Sequence, residues 1–143
     1  MHLGYHFPKF SLHNSFSVYI LVWKIYNGHM ENLGGAQTKF LYLLAYLYMQ
    51  QCKYDMALHL FRILRLHHPK DNKIALALTV CLHKAQHLDE ALKVLKSIPE
   101  KDLTTDQNIV FYYIQSKILW DLKQIDASRE MLHKYLKIRQ SRQ

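Results

Sequence analysis

The stretch that decides the fold runs from residue 41 to residue 69, and its key positions read Leu41-x2-Leu44-Ala45-x2-Tyr48, Ala57-x3-Phe61 and Pro69. Apolar residues spaced three and four apart lie on one face of an α-helix, so the spacing predicts two helices joined by a turn. Small side chains at Ala45 and Ala57 let two antiparallel helices approach closely, while Tyr48 and Phe61 fill the space beside them. Pro69 stops the second helix. We expect helices over residues 36–50 and 54–67.

This spacing resembles the tetratricopeptide repeat (TPR), a helical hairpin of about 34 residues that reads Trp-x2-Leu-Gly-x2-Tyr, Ala-x3-Phe and a closing Pro. Leu41 and Ala45 replace the usual Trp and Gly, and they keep the apolar and the small character of those positions. The resemblance extends over residues 37–138. It implies stacked helical hairpins, each packed on its neighbours.

Two further units follow the first. The second reads Ala75-x2-Leu78-Thr79-x2-Leu82, Leu88-Asp89-Glu90-Ala91 and Leu95, and the third reads Tyr112-x2-Gln115-Ser116-x2-Leu119, Ile125-Asp126-Ala127-Ser128 and Leu132. Ala91 follows Ala57 by 34 residues, and Ser128 follows Ala91 by 37, a repeat lengthened in the loop 99–106. We expect Thr105 or Asp106 to be the N-cap after this loop. The sequence therefore predicts an all-α fold of three TPR-like helical hairpins, over residues 38–71, 72–105 and 109–140, which form a short right-handed solenoid.

Residues 1–29 carry no repeat spacing, and we expect an N-terminal extension there, before a TPR-like chaperone domain at residues 30–143. A secretory signal is one alternative, with the apolar run 18–23 as its core. That run is short, is followed by Lys24 and lacks a small-x-small cleavage site, which disfavours a signal. A natural start at Met30 is the interpretation we favour slightly.

Composition limits the classes of protein to which the chain can belong. The chain has 143 residues, half of them hydrophobic, with a formal charge of +8 and a pI near 9.5. Cys52 and Cys81 are too few for a disulfide framework or a zinc site, so we expect a reduced cytoplasmic protein. No apolar run reaches the ~20 residues of a membrane-spanning helix, so we expect no stable membrane insertion.

No motif for enzyme chemistry stands out in the sequence. His83, His87 and Cys81 suggest a metal site on a helix, but a turn predicted near Gln86 breaks the required spacing. Asp89 and Glu90 suit the first turn of a helix better than an acid/base pair. We expect no enzyme activity, no metal and no cofactor.

The first helix of each TPR-like hairpin would line a concave groove. We expect the partner-binding groove residues to be Lys39, Tyr42, Tyr46 and Met49 in the first unit, Lys73, Leu76, Val80 and His83 in the second, and Tyr113, Lys117 and Trp120 in the third. Packing in the core is the alternative for each aromatic side chain. An apolar, aromatic groove flanked by Lys suits an amphipathic helix or an extended peptide.

A narrower resemblance rests on four segments, which read Phe40-Leu41-Tyr42-Leu43-Leu44, Gln50-Gln51-Cys52-Lys53-Tyr54, Leu78-Thr79-Val80-Cys81-Leu82-His83-Lys84-Ala85-Gln86-His87-Leu88-Asp89-Glu90-Ala91-Leu92 and Tyr135-Leu136-Lys137-Ile138-Arg139. They resemble the small chaperones of bacterial type III secretion systems, most closely the YscY type. The resemblance implies a cytoplasmic, non-enzymatic chaperone that holds a small secreted helical protein of the export apparatus (YscX-like) and also engages the export gate. The chaperone of the needle subunit and the larger chaperone of the translocators share this architecture and remain alternatives.

Two other functions remain open. A general TPR adaptor would grip the C-terminal carboxylate of a peptide with Lys39, Lys73 and Lys117, although Tyr, Leu and Met dominate around them. The charge of +8 motivates nucleic-acid binding, which we rank lower and whose signature is a salt-dependent affinity. Three repeats are near the minimum for a repeat array, so we expect self-association without the partner and added stability with it.

Overall fold

The structure is a computed structural model, and it describes residues 35–142. This range contains six α-helices and no strand: α1 (Ala36–Gln50), α2 (Tyr54–His67), α3 (Asn72–Lys84), α4 (Leu88–Lys96), α5 (Thr105–Asp121) and α6 (Ile125–Ser141). A short 3-10 helix, Glu100–Asp102, precedes α5. The predicted all-α class is confirmed for this range. The expected N-terminal extension at residues 1–29 and the start at Met30 lie outside the described residues.

The helices pack mainly in the order of the chain. Each helix contacts the next one, and α3 also contacts α5. Helix α3 therefore lies against α2, α4 and α5, and nine consecutive residues of it, 74–82, are buried. A helix that is enclosed by neighbours can be apolar all round. Its first turn is capped by the Asp71 carboxylate, which accepts a hydrogen bond from the backbone N–H of Lys73 at 2.9 Å.

Three turns of the same conformation join α1 to α2, α3 to α4 and α5 to α6. Their central residues have positive φ angles of 61°, 67° and 66°, at Cys52, Gln86 and Lys123. In each turn, the backbone N–H of the following residue donates to the carbonyl oxygen five residues earlier, at 2.8–2.9 Å. This bond belongs to the left-handed C-terminal motif of helices. Such short connections make contacting helices antiparallel, and we refer to the pairs as the first, second and third hairpins.

Small residues occupy the places where paired helices approach. Ala45, Ala57 and Ala91 are fully buried. The ring of Phe61 packs edge-on against Tyr42, with 5.8 Å between the ring centroids. In the third hairpin, Ser128 takes the small position and its hydroxyl donates to the carbonyl oxygen of Ser116 at 2.8 Å. A polar side chain is therefore accommodated in the core because its hydrogen bond is made.

The N-cap of α5 differs from the prediction. Thr104 caps the helix, rather than Thr105 or Asp106. The Thr104 hydroxyl oxygen accepts from the backbone N–H of Gln107, and the Gln107 side chain accepts from the backbone N–H of Thr104, both at 3.1 Å. This reciprocal capping box needs Glu or Gln three residues after the cap, and only Thr104 of these three residues has one.

Burial predicts how two leucines differ in their contribution to stability. Leu95 is fully buried in α4, whereas Leu66 of α2 is 82% exposed. We expect Leu95→Ala to lower the free energy of unfolding by about 2–5 kcal/mol, since it removes buried methyl groups and leaves a cavity. Leu66→Ala is the matched control and should stay within about 0.5 kcal/mol of the parent protein. Urea unfolding followed by far-ultraviolet circular dichroism measures both, and equal losses would contradict this packing.

The left-handed turns predict a stabilising substitution. Lys123 has a φ of 66°, a conformation that glycine adopts without steric cost. We expect Lys123→Gly to raise the free energy of unfolding by about 1 kcal/mol. Lys93→Gly, in the exposed middle of α4, should lower it by about the same amount. If both substitutions lowered the stability, the left-handed turn at Lys123 would be wrong.

Candidate protein-binding surface

The predicted groove residues fall into three groups of exposure. Five of them are 0–4% exposed and belong to the hydrophobic core: Tyr42, Tyr46, Met49, Leu76 and Val80. Lys39, Lys73, His83 and Tyr113 are partly buried, and Lys117 is exposed. Trp120 is 53% exposed. An open groove along all three units was expected, but in the first two units these five side chains are core residues and offer little surface to a partner.

The third hairpin brings the accessible members of the predicted set together. Tyr113, Lys117 and Trp120 follow one another at spacings of four and three along α5, so they share one side of that helix. The ammonium group of Lys117 lies 5.4 Å from the centroid of the Tyr113 ring. An ammonium group at this distance from an aromatic ring is attracted by the ring's negative face.

Helix α6 adds two residues beside them. The Tyr135 ring lies 5.1 Å from the Tyr113 ring. The Arg139 guanidinium lies 5.7 Å from the centroid of the Tyr135 ring, and its Nη1 donates to the Tyr135 hydroxyl at 2.9 Å. The aromatic–cation patch consists of Tyr113, Lys117, Trp120, Tyr135 and Arg139.

The patch combines aromatic rings with two permanent cations. Large aromatic side chains and Arg are the residue types that most often carry the binding energy of protein interfaces. A partner with an apolar helix and acidic residues at its edge would match both components.

Repeat spacing could have revealed the residues that the sequence prediction missed. Tyr135 lies 37 residues after Ile98, which in turn lies 34 residues after Leu64. Leu64 and Ile98 are buried, whereas Tyr135 is only partly buried. An aromatic residue with a hydroxyl group at an otherwise aliphatic core position was the available signal. Arg139 had no such signal, because its role depends on the placement of the Tyr135 ring.

His83 connects the second and third hairpins. Its Nε2 lies 2.8 Å from the Asp121 carboxylate at the end of α5, next to Trp120. The Nδ1 atom of the same ring is buried without a hydrogen-bond partner among the described residues. His83 was also a candidate for a metal site with His87 and Cys81. His87 instead precedes α4 as its N-cap residue, and Cys81 is fully buried in the core.

Residues 35–142 contain no group of three or more His, Cys, Asp or Glu side chains that could hold a metal ion. Burial raises the pKa of the Cys81 thiol far above its ordinary value, which disfavours the thiolate that binds metals. The pKa of Tyr112 is also raised, mainly by burial and further by the neighbouring Glu100 carboxylate, which accepts its hydrogen bond at 3.2 Å. Tyr112 is thus held as a neutral phenol.

Hydrogen bonds from two arginines of α2 join the first hairpin to the second. The Arg62 guanidinium of α2 donates two hydrogen bonds to the Glu90 carboxylate of α4, at 2.6 and 3.1 Å. Arg65 donates to the Ser97 hydroxyl at 2.6 Å. The side chains of Arg62 and Glu90 are 36% and 42% exposed, so solvent screening limits the contribution of this pair to stability. Its bidentate geometry links α2 to α4.

Comparisons with known proteins give no match: no family model fits the chain, and no curated protein or solved structure is similar to it. Among the described residues, no helix is both long enough and apolar enough to cross a membrane.

The His83–Asp121 contact predicts an energetic coupling between two hairpins. In a double-mutant cycle, we expect His83→Ala and Asp121→Ala to couple by about 0.5 kcal/mol in unfolding free energy. The value is modest because the Asp121 side chain is 37% exposed. A cycle that pairs His87→Ala with Asp121→Ala is the control and should show no coupling. Additive effects in the first cycle would show that the contact does not form in solution.

Proposed function

We propose that this chain is a protein-binding module of three TPR-like hairpins in a short right-handed solenoid, and that it holds an amphipathic helix of a protein partner. Three turns of one conformation, 34 and 37 residues apart, support the repeat. The contacts of α2 with α3, of α4 with α5 and of α3 with α5 are those expected when each hairpin packs on the next.

The exposed aromatic–cation patch on the third hairpin is the observation that carries this proposal. The Trp120 side chain is 53% exposed and lies on the same side of α5 as Tyr113 and Lys117, so it provides an apolar contact area that water covers in the free protein. Burying such a ring in a partner is favourable in proportion to the apolar area removed from water. The binding residues we now propose are Tyr113, Lys117 and Trp120 of the predicted set, with Tyr135 and Arg139 added.

The partner class follows from the resemblance to type III secretion chaperones. We propose a cytoplasmic, non-enzymatic chaperone in a bacterium, which needs no cofactor. Its partner would be a small secreted helical protein of the export apparatus (YscX-like), with the export gate as a further contact. The chain carries a formal charge of +8, which favours a partner with acidic residues at the edge of its apolar helix.

A carboxylate-gripping adaptor is less well supported by the geometry. Such an adaptor needs accessible cations along the whole groove. The Lys73 ammonium group lies 3.6 Å from the Asp71 carboxylate, and its side chain is only 14% exposed. Lys117 faces the Tyr113 ring. Lys73 is therefore engaged within the protein, and Lys117 stands beside an aromatic ring.

Capture of the partner tests the proposal. We expect the tagged full chain to retain a small secreted helical protein from its own host in about equal amount, as identified by mass spectrometry. Trp120→Ala should lower the amount retained about tenfold or more, because hot-spot truncation costs about 2 kcal/mol or more. Leu66→Ala removes an exposed apolar side chain elsewhere and should leave capture unchanged.

Three outcomes would contradict the proposal. Retention of the partner by Trp120→Ala as strongly as by the parent chain would place the binding site elsewhere. Recovery of a large chaperone alone by the parent chain would indicate a general adaptor. Recovery of nucleic acid that is released by moderate salt would indicate a nucleic-acid-binding protein.

A further inference from the structure

The first helix of each hairpin has an apolar face formed by three residues, which we call the front face. In the second hairpin it consists of Ile74, Ala77 and Cys81, and in the third hairpin it consists of Phe111, Ile114 and Ile118. All six side chains are 0–4% exposed. The corresponding residues of the first hairpin are Phe40, Leu43 and Leu47, which are 61%, 37% and 44% exposed.

Helix contacts explain this difference. Helix α3 packs on α2, and α5 packs on α4 and α3, so each of these first helices lies against the hairpin before it. No described helix precedes α1. A preceding hairpin therefore covers these three positions in the second and third hairpins, whereas the same positions are exposed in the first hairpin. Exposed apolar side chains in a row on one helix mark an interaction surface.

The third hairpin has an exposed residue at a position that is buried in the first two hairpins. Phe61 and Leu95 are fully buried, whereas Leu132 at the corresponding position of α6 is 41% exposed. One turn further along α6, Leu136 is 46% exposed. Trp120 corresponds to His83, whose ring contacts Asp121 of the following hairpin. We call Trp120, Leu132 and Leu136 the rear face.

We propose that the front face of one molecule packs on the rear face of a second copy of the same chain, head to tail. The chain already forms this kind of contact twice, between its first and second and between its second and third hairpins. The open front face carries apolar residues at positions that are buried in the second and third hairpins, and Leu132 of the rear face lies at a position that is buried in the first and second hairpins. One molecule thus exposes a front face and a rear face, the two kinds of surface that pack together between its own hairpins.

Such a contact joins two different surfaces, so it is heterologous, and a stack that continues the arrangement of the hairpins keeps one free face of each kind. Growth is therefore open-ended and depends on protein concentration. Each copy carries a formal charge of +8, so the copies repel one another at low ionic strength. Salt screens this repulsion, and the association strengthens as the salt concentration rises.

The rear face shares Trp120 with the proposed partner site, whereas the front face shares no residue with it. This inference rests on hairpin geometry and not on the proposed function. Leu47→Glu on the front face therefore separates the two: it should abolish self-association and leave capture of the partner intact.

Analytical ultracentrifugation of the full chain tests the proposal. We expect the average mass of the parent protein to rise with concentration and with salt. Leu47→Glu on the front face and Leu132→Glu on the rear face should each raise the apparent dissociation constant at least about tenfold, because a carboxylate would be buried without a partner. Each variant alone should then be monomeric.

A mixture of the two variants provides the decisive measurement. The intact rear face of the Leu47→Glu chain can accept the intact front face of the Leu132→Glu chain, so the mixture should form a one-to-one dimer and grow no further. Leu66→Glu is the matched control and should associate as the parent does. Leu66 corresponds by position to Glu100 and Lys137, which are both exposed and lie on neither face.

The proposal is overturned if the parent chain is monomeric at every concentration and salt, or if either single variant associates as the parent does. A symmetric contact between like faces would leave one of the two single variants associating. A mixture that stays monomeric would also overturn the proposal, because an intact front face and an intact rear face would then be present without binding. Circular dichroism checks that each variant is folded. The milder pair Phe40→Gln and Leu136→Gln repeats the test if either Glu variant is unfolded.

Discussion

The close approach of paired helices at small side chains is the constraint on which the rest of the structure depends. Ala45 meets this need in the first hairpin and Ala91 in the second, each without exposed surface. The third hairpin uses Ser116 and Ser128, whose hydroxyls donate to backbone carbonyl oxygens at 2.6 and 2.8 Å. A larger side chain at any of these places would separate the helices and open the core, since protein interiors are packed near their maximum density.

Spacing in the sequence predicted the helices and turns well, because it records which side of a helix is apolar. The helices Ala36–Gln50 and Tyr54–His67 have the predicted bounds. The N-cap at Thr104 was missed because the prediction considered the capping residue alone and not Gln107 three positions later. Tyr46 and Val80 were predicted as groove residues, with core packing as the alternative for Tyr46, and both are buried. Repeat position assigns a residue to one side of a helix, but it does not say what covers that side.

What covers one side of a helix also explains why the candidate site lies on the third hairpin. Met49 and Trp120 occupy the same position of their hairpins, yet Met49 is fully buried and Trp120 is 53% exposed. Sequence alone ranked them equally as groove residues. Tyr135 and Arg139 of α6 complete the patch through ring and hydrogen-bond contacts that only the placement of α5 against α6 reveals. A site built from two helices is thus less visible in a sequence than the helices themselves.

The hairpins at the ends of a stack expose contact residues that are buried in the middle of the stack. Every inner contact buries one front face and one rear face, so a short stack leaves a large share of its contact residues exposed. In the proposed self-association, the formal charge of +8 opposes contact between copies, because like charges repel one another until salt screens them. Trp120 belongs to both the rear face and the aromatic–cation patch. A partner helix seated on Trp120 would therefore exclude a second copy, so that binding and self-association compete for one side chain.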